Sequence, residues 1–246
     1  MSMRKTLFTG LTIAFLCGCQ VGQLTTLYND DTSVEENGVR VDAAHKPITG
    51  IYQKHNKKMR LLEESQYVNG RLHGISKEYS EKGKPLLTAQ YRKGKLNGKV
   101  ISYHDNGQEY EVLNYHNDKL DGGQIAYDKK GNILRKGSYK NGKKNGVFVE
   151  LYPTGAVKSS MTYQRGKLNG PARFYTKNHY LINYTEYVNG KREGIANSYY
   201  DKERPKVLAT LKNDKLHGVA KEFDENGNLI RLITYKDGVE VRNVKF

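Results

Sequence analysis

Histidines, acidic residues and glycine motifs could carry out chemistry in this chain, but none is arranged to do so. The seven histidines include no HExxH motif and no pair at a spacing typical of metal ligands. His73 and His217 share one position of an internal repeat, yet six units separate them, roughly 60 Å at ordinary strand spacing. No G-x-S-x-G elbow, phosphate-binding loop or dinucleotide fingerprint is present. We therefore predict that the protein is not an enzyme and uses no catalytic residue, metal or cofactor.

Cations are the charged residues with a regular spacing. One recurs every 24 residues, which would place successive cations about 10 Å apart on one edge of a stacked array. That distance is near one Debye length, so the positive fields overlap in part. Such an edge suits an anionic surface or an acidic partner, although lysine is also simply a soluble turn residue. The predicted partner-binding residues are Arg71, Lys95, Lys119, Lys143, Lys167, Lys191 and Lys215.

These cations belong to a repeat with a fixed period of 24 residues. Each unit opens with an octapeptide such as YVNGRLHG, and seven full units run from 67 to 234. A fixed period predicts an array in which each unit buries apolar surface by stacking on its neighbours. The structural residues of the repeat are Tyr67, Tyr91, Tyr115, Tyr139, Tyr163, Tyr187 and Tyr235, with Gly74, Gly98, Gly122, Gly146, Gly170, Gly194 and Gly218.

Two turn signals alternate within each unit, which predicts a β-hairpin. The turn at 81–83 ends in glycine, as a type I turn followed by a bulge requires. The octapeptide forms the other turn, predicted to be longer and basic. Asp118 and Asp214 replace glycine there, and aspartate tolerates the left-handed region. The predicted fold is all-β, an elongated repeat array that forms a meander of stacked antiparallel β-hairpins.

Two aromatic ladders run through the predicted strands, and we interpret them as the core, with an aromatic binding groove as the alternative. Tyrosine suits a half-buried pleated surface, where its ring packs and its hydroxyl reaches water. The opening tyrosines form one ladder. The second ladder consists of Tyr79, Tyr103, Tyr127, Leu151, Tyr175, Tyr199 and Phe223. His179 and Glu203 replace a turn glycine in two successive units, either as a contact surface or as ordinary loop variation.

The N-terminal residues are typical of a secretion signal, with Arg4 and Lys5 before an apolar run too short to span a membrane. The run ends in LCGC, which resembles the lipobox of bacterial lipoproteins and makes Cys19 the predicted lipid attachment site. An ordinary signal or an uncleaved anchor is the alternative. By the sorting pattern of such lipoproteins, Gln20 after the cysteine implies the outer membrane. The predicted domains are 1–18 signal peptide, 19–38 lipid anchor and flexible tether, 39–66 degenerate capping unit, 67–234 seven repeats, and 235–246 C-terminal cap.

Composition limits the partners. Loss of Arg4 and Lys5 with the signal lowers the formal charge of +15 by two, to about +13. In the cell envelope, such a basic protein would meet anionic lipid headgroups, anionic glycans or acidic proteins. We therefore expect a protein partner or an anionic envelope surface, and no nucleic acid. Acylation of Cys19 and loss of Cys17 would leave no free thiol for a disulfide.

The octapeptide Y-x-N-G-K-L-x-G, followed by G-x-x-x-x-Y and then N-G, closely resembles the bacterial variant of the MORN repeat over residues 50 to 238. The resemblance implies a meander of β-hairpins used for binding and scaffolding, in some members at membrane surfaces. Many bacterial proteins of this type carry the name of antitoxin components, after a YwqK-like prototype. The expected function is a non-catalytic envelope lipoprotein that acts as a binding scaffold. The alternative is an antitoxin or immunity-type protein with a dedicated toxin partner.

Overall fold

The computed structural model describes residues 12–13 and 25–246, and almost all of its regular structure is β-strand. The chain folds as two compact units, Met1–Lys119 and Leu120–Phe246. Within each unit, most strands that follow one another in sequence are hydrogen-bonded neighbours. The predicted all-β meander of hairpins is confirmed. The boundaries predicted for the individual segments stay predictions.

Unit 1 combines a run of antiparallel hairpins with a small N-terminal sheet. Strands β5 to β10 each pair antiparallel with the next, whereas β2 pairs parallel with β5 and β3 pairs with β4 in a separate hairpin. The strands are β1 (Thr12–Ile13), β2 (Thr25–Tyr28), β3 (Ser33–Glu36), β4 (Val39–Asp42), β5 (Gly50–His55), β6 (Leu61–Val68), β7 (Arg71–Tyr79), β8 (Pro85–Arg92), β9 (Lys95–Tyr103) and β10 (Glu109–His116).

Unit 2 continues the antiparallel pattern, with one short 3-10 helix at Asp201–Glu203. In two places a repeat strand is divided into a short and a longer piece, β13 with β14 and β20 with β21. The strands are β11 (Lys119–Tyr127), β12 (Ile133–Lys140), β13 (Lys143–Lys144), β14 (Gly146–Leu151), β15 (Val157–Gln164), β16 (Lys167–Tyr175), β17 (Leu181–Val188), β18 (Lys191–Tyr199), β19 (Pro205–Lys212), β20 (Lys215–Leu216), β21 (Gly218–Phe223), β22 (Leu229–Lys236) and β23 (Val239–Lys245).

The basic turn of the octapeptide is the shorter of the two turns, which corrects the prediction of a long turn. Val68 pairs directly with Arg71, so only Asn69 and Gly70 lie in the loop. Both have positive φ, 50° and 70°, the conformation of a type I′ turn, whose twist matches that of the flanking strands. The rest of the octapeptide continues as strand β7, and Gly74 lies within it.

The turn at the other end of each hairpin has the predicted form. The amide of Ser80 donates to the carbonyl of Lys84, and the amide of Gly83 donates to the carbonyl of Ser80, both at 2.8 Å. Gly83 has a φ of 76°. Glycine adopts this left-handed conformation without steric cost, so the prediction that the turn closes on a positive-φ glycine is confirmed.

A polar side chain faces the last glycine of the octapeptide, which lies within a strand, in several units. Gly98 has a φ of 124°, and a Cβ there would lie 2.1 Å from Oε1 of Gln90. That oxygen accepts a hydrogen bond from the amide of Lys99 at 2.9 Å. In the same way, Oε1 of Gln66 accepts a hydrogen bond at 3.1 Å from the amide of Ile75, the residue after Gly74. The octapeptide thus ends in glycine because a neighbouring side chain occupies the space of a Cβ.

Several of the most buried positions of the sheet hold small side chains. Ser65 and Ala89 are 0% and 1% exposed, and both pair with Ser76 on the strand between them. Tyr67 and Tyr91 stand two residues further on, so they lie on the same face and are half-buried. In each unit, we call the face that carries the opening tyrosines the tyrosine face.

The second aromatic ladder lies on the opposite face of the sheet. The hydroxyl of Tyr103 is 3.2 Å from Oγ1 of Thr88, and Thr88 precedes Ala89, whose side chain is on the tyrosine face. Because successive side chains alternate between faces, the two ladders cannot pack into one core. The ladder tyrosines are half-buried on two separate faces, and highly buried side chains such as Ala89 and Ile233 lie between the opening tyrosines. The interpretation of the ladders as the core stays a prediction.

The N-terminal region differs from the flexible tether predicted over 19–38. From Thr25 onward it forms strands, and Ser33 is 4% exposed. The order comes from contacts that the polar composition does not indicate: β2 pairs with β5, and the amide of Arg40 donates to the carbonyl of Gly70 at 2.9 Å. The predicted lipid site Cys19, and the predicted signal peptide apart from Thr12–Ile13, lie outside the described residues.

Replacement of Gly98 by alanine should destabilise the protein more than replacement of Gly107. Both glycines have positive φ, but a Cβ at Gly107 meets nothing within 4 Å, whereas one at Gly98 displaces the Gln90 side chain. Gly107→Ala should cost about 1 kcal/mol from backbone strain. Gly98→Ala should cost roughly 1 to 2 kcal/mol more, because the amide of Lys99 loses its acceptor. Urea unfolding measures both, and equal losses would contradict the role assigned to Gln90.

Candidate binding surfaces

The two-residue turns stack on one another along one edge of each unit. In unit 1, the amide of Gly94 donates to the carbonyl of Leu72 at 2.8 Å. In unit 2, the amide of Gly190 donates to the carbonyl of Leu168 at 2.7 Å. Every turn from 69–70 to 237–238 makes the equivalent bond to the strand that begins the preceding hairpin. We call the two edges formed in this way, one in each unit, the turn edges.

The seventh residue of the octapeptide caps the next turn. Oδ1 of Asn169 accepts a hydrogen bond from the amide of Asn189 at 3.0 Å, and Oε2 of Glu193 accepts one from Asn213 at 2.7 Å. His217 has the same place, and its Nδ1 accepts a hydrogen bond from the amide of Asp237 at 3.3 Å. The side chains at this position vary in type because each needs only one acceptor atom. This histidine therefore has a structural role at the turn.

The predicted cation row lies along the turn edges, and all seven side chains are exposed. The aliphatic part of each side chain lies beside the glycine of the next turn. A Cβ added at Gly166 would be 3.6 Å from Cβ of Lys143, and a Cβ added at Gly190 would be 3.8 Å from Cβ of Lys167. The stacked turns thus support the aliphatic parts and leave the charged ends in solvent. The structure places Arg71, Lys95 and Lys119 on the turn edge of unit 1, and Lys143, Lys167, Lys191 and Lys215 on that of unit 2.

Like charges face each other at the base of several turns. Arg92 pairs with Lys95, and Lys140 pairs with Lys143, in the hydrogen-bonded register of their strands. Directly opposed like charges destabilise a β-ladder. In addition, Lys93 occupies a turn position with a φ of 53°, where a side chain other than asparagine or glycine costs about 1 to 2 kcal/mol. The edges therefore carry positive charge at a local cost in stability, which favours binding over solubility alone.

The aspartates in the turns are engaged within the fold. Asp118 and Asp214 have φ values of 64° and 68°, which confirms the predicted left-handed conformation. Oδ1 of Asp118 accepts from the amide of Leu96 at 2.8 Å, and Oδ1 of Asp214 accepts from the amide of Arg192 at 2.9 Å. The hydrogen bonds from the Arg192 backbone and side chain lower the pKa of the Asp214 carboxyl. Both carboxylates thus hold adjacent hairpins together.

The departures at His179 and Glu203 are accommodated by the loop backbone. Both residues keep the left-handed conformation of the glycine that they replace, with φ values of 68° and 61°. The carboxylate of Glu203 accepts a hydrogen bond from the amide of Leu181 at 3.2 Å. The loop backbone thus accepts both residues, and the two interpretations, a contact surface or ordinary loop variation, stay predictions.

Aromatic rings meet a cation at two places on the tyrosine face. In unit 1, the guanidinium carbon of Arg40 lies 3.8 Å from the ring centroid of Tyr52 and 5.7 Å from that of Tyr67. In unit 2, Nζ of Lys144 lies 4.8 Å from the ring centroid of Phe148 and 4.9 Å from that of Tyr163. Both arrangements are within the range of cation–π attraction.

The unit 1 arrangement is a closed N-terminal cap. Tyr52 is 1% exposed, and its hydroxyl donates to Oδ1 of Asp30 at 2.5 Å. Burial first, and then this hydrogen bond, raises the pKa of Tyr52 above its ordinary value. Arg40 brings hairpin β3–β4 over the rings, and its amide and carbonyl bond to Gly70 and Ile48. This hairpin covers the first pair of aromatic rings.

Two segments of the chain, residues 72–93 and 216–237, match the family described as MORN repeat variant. The chain carries MORN repeats. The matched segments begin at the same position of the octapeptide, six periods apart, with one in each unit. MORN repeats are often protein-binding or membrane-binding modules and are generally not enzymes. No curated protein matches the chain.

Outside the turn edges and the tyrosine face, the described MORN array offers little for chemistry. Within residues 12–13 and 25–246, no group of three histidine, cysteine, aspartate or glutamate side chains is placed to hold a metal ion. In the same ranges, no helix is long and apolar enough to cross a membrane.

Sequence reasoning missed the turn caps and the two ring–cation arrangements. The caps carry a weak signal, because the seventh octapeptide position is polar in each full unit while its residue type changes. The signal for the second arrangement is a lysine, Lys144, at a position that holds leucine in most units. Arg40 has no signal of this kind, because it precedes the regular repeats.

Replacement of Tyr52 by phenylalanine should weaken the N-terminal cap and change the alkaline pH dependence of stability. Folding raises the pKa of Tyr52. Its contribution to the free energy of unfolding is therefore complete below the pKa of tyrosine in the unfolded chain, about 10, and declines as the pH rises above that value. Tyr52→Phe should cost about 1 kcal/mol at neutral pH through loss of the Asp30 hydrogen bond, and should make the decline above pH 10 shallower. Urea unfolding at several pH values measures both effects. The control is Tyr110→Phe at an exposed position. An equal change in slope for both variants would contradict the prediction.

Proposed function

We propose that the protein is a non-catalytic envelope lipoprotein whose MORN array binds a protein or an anionic surface through its turn edges. The observation that carries the proposal is the exposed cation row, held on stacked turns at a local cost in stability. In unit 2 the row contains Lys143, Lys167, Lys191 and Lys215, at one cation per hairpin. A rigid row with a regular spacing presents positive charge to an extended partner without first having to be ordered.

The chemistry of the partner follows from the charge of the chain. The formal net charge is +15, and the two turn aspartates are hydrogen-bonded to the backbone of adjacent hairpins. The edges are therefore suited to phosphate or carboxylate groups. In the proposed envelope location, such groups belong to lipid headgroups, glycans or acidic proteins rather than to nucleic acid.

The proposed anchor is Cys19, acylated after removal of residues 1–18 and sorted to the outer membrane. Its support is the lipobox-like sequence LCGC with Gln20 after it. A lipid at this position would hold the array near a membrane surface, where each cation near anionic lipid contributes on the order of 1 kcal/mol. Anchor and cation row would thus act together.

Replacement of Lys143, Lys167 and Lys191 by glutamine should weaken binding to vesicles of phosphatidylglycerol and phosphatidylcholine. The loss of three cations should reduce affinity on the order of 100-fold at low salt and should flatten the dependence of binding on salt. Vesicle co-sedimentation at several salt concentrations measures both effects.

The matched control replaces Lys130, Lys177 and Lys202 of the same unit. These lysines are exposed in the loops at the opposite edge, so the net charge changes equally. The control should bind more tightly than the turn-edge variant. Equal losses would mean that net charge alone drives binding, and unchanged binding by the turn-edge variant would remove the row from the mechanism.

Replacement of Cys19 by alanine should release the chain from the membrane fraction and abolish its labelling with a radioactive fatty acid. Cys17→Ala is the control, because alanine is usual before the acylated cysteine of a lipobox and should preserve labelling. If the Cys19→Ala protein stays in the membrane fraction, or if the natural chain is never labelled, the anchor proposal fails.

A single dedicated toxin is the narrower form of the proposed protein partner. Crosslinking in intact cells, followed by mass spectrometry, separates the two forms. Capture of one protein whose toxicity this chain relieves supports the narrower form. Capture of several envelope proteins through the turn edge supports a general scaffold.

A further inference from the structure

Three residues of unit 2 depart together from the repeat. Lys144 stands where most units have leucine, and Phe148 stands where the following units have Ala172, Ala196 and Ala220. Gly137 stands opposite them, and a Cβ there would lie 2.4 Å from Cδ1 of Phe148. The φ of Gly137 is not in the left-handed region. The backbone therefore does not require glycine at this position, and the glycine makes room for the phenylalanine ring.

The phenylalanine ring joins two ladder tyrosines into one aromatic cluster. Its centroid lies 5.4 Å from that of Tyr139 and 5.2 Å from that of Tyr163, with interplanar angles of 90° and 74°. Edge-to-face contacts of this kind are favourable and fix the ring positions. Nζ of Lys144 lies over the Phe148 and Tyr163 rings. The three departures thus produce a rigid aromatic surface with an ammonium group on it.

The same ring positions occur once in unit 1, where the chain itself covers them. Tyr52 and Tyr67 stand 96 residues before Phe148 and Tyr163, four periods of the repeat. Hairpin β3–β4 lies over that pair and supplies Arg40 as the cation. In unit 2 the cation comes from within the sheet, and the rings at the corresponding positions, Phe148 and Tyr163, line a cavity of about 410 Å³.

The lining of this cavity combines apolar and charged groups. The rings of Tyr139, Phe148 and Tyr163 and the side chain of Met161 form an apolar surface. The charged lining residues are Arg135, Lys144 and Glu150, two cations against one carboxylate. Glu150 is already 3.7 Å from Lys158. Within residues 25–246, Lys144 makes no ion pair with a carboxylate.

We propose that this cavity on the tyrosine face of unit 2 binds a carboxylate attached to a flat apolar group, with Lys144 as the counter-ion. A half-open cavity of this size, in which aromatic rings stand beside a few convergent charged groups, can hold a small ligand. The ammonium group of Lys144, which has no carboxylate partner in the described part of the chain, favours an anion, and the aromatic rings favour a planar body over a compact ion such as phosphate. The ligand is either a free aromatic carboxylate or the C-terminal residue of a peptide that ends in an aromatic side chain.

The cavity is a different surface from the one that carries the proposed function, because the cation row lies on the turn edge and the cavity lies on the tyrosine face. Lys143 belongs to the row, whereas its neighbour Lys144 lines the cavity. Adjacent residues of a strand point to opposite faces. One pair of variants with the same change in charge therefore separates the two surfaces, and failure of one proposal leaves the other in place.

The test uses 2-naphthoate and its neutral amide, 2-naphthamide, titrated into the full-length chain by calorimetry. The natural chain should bind 2-naphthoate roughly tenfold more tightly than the amide, as expected for one charge-assisted contact. Lys144→Gln should remove this preference, and Lys143→Gln should retain it. Phe148→Ala should weaken both ligands, and alanine stands at the equivalent position of three later units.

A second pair of probes separates the two sources of the ligand. If the site recognises peptide C-termini, the peptide Gly-Gly-Ala-Phe with a free carboxylate should bind more tightly than the same peptide with a C-terminal amide. If the site recognises small aromatic carboxylates, 2-naphthoate should bind and the peptide should not. Equal affinity for acid and amide in both pairs would overturn the proposal. So would a preference for the acids that survives in the Lys144→Gln protein.

Discussion

Each unit depends on the hydrogen bond between a hairpin turn and the hairpin before it. The amide of Gly94 donates to the carbonyl of Leu72, and the bond recurs at each octapeptide turn from 69–70 to 237–238. It requires a two-residue turn with positive φ at both positions, which explains why asparagine and glycine dominate there. The bond fixes the distance between successive turns, and the position of every exposed side chain beside them follows from it.

This form of stacking leaves little room for a conventional core. The most buried positions hold residues such as Ser65 and Ala89, and the tyrosines around them are only half-buried. Because each hairpin mainly touches its immediate neighbours, stability is distributed along the array. Both faces and both edges of the sheet therefore remain available as surfaces, which suits a protein whose proposed role is to bind.

Much of the fold could be predicted from the sequence, whereas less of the candidate sites could. The 24-residue period and the glycine at Gly83 follow from local turn chemistry, so the hairpins and one of the two turns were predicted correctly. The octapeptide turn was predicted too long, because Gly74 resembles a turn residue in sequence but serves to accommodate Gln66. The tether prediction failed from Thr25 onward, since pairing with β5 orders a polar segment that has no apolar period of its own.

The sequence by itself determined the all-β repeat, the spacing of the cation row and the places where glycine must allow positive φ. These properties depend on residues within a few positions of one another, so a linear pattern records them. Only the tertiary structure decided that the two aromatic ladders lie on opposite faces, that Arg40 closes the first pair of rings, and that Lys144 and Phe148 line one cavity, with Gly137 beside the Phe148 ring. Those relations join residues on different strands, and the register that brings them together is set by hydrogen bonds across the sheet.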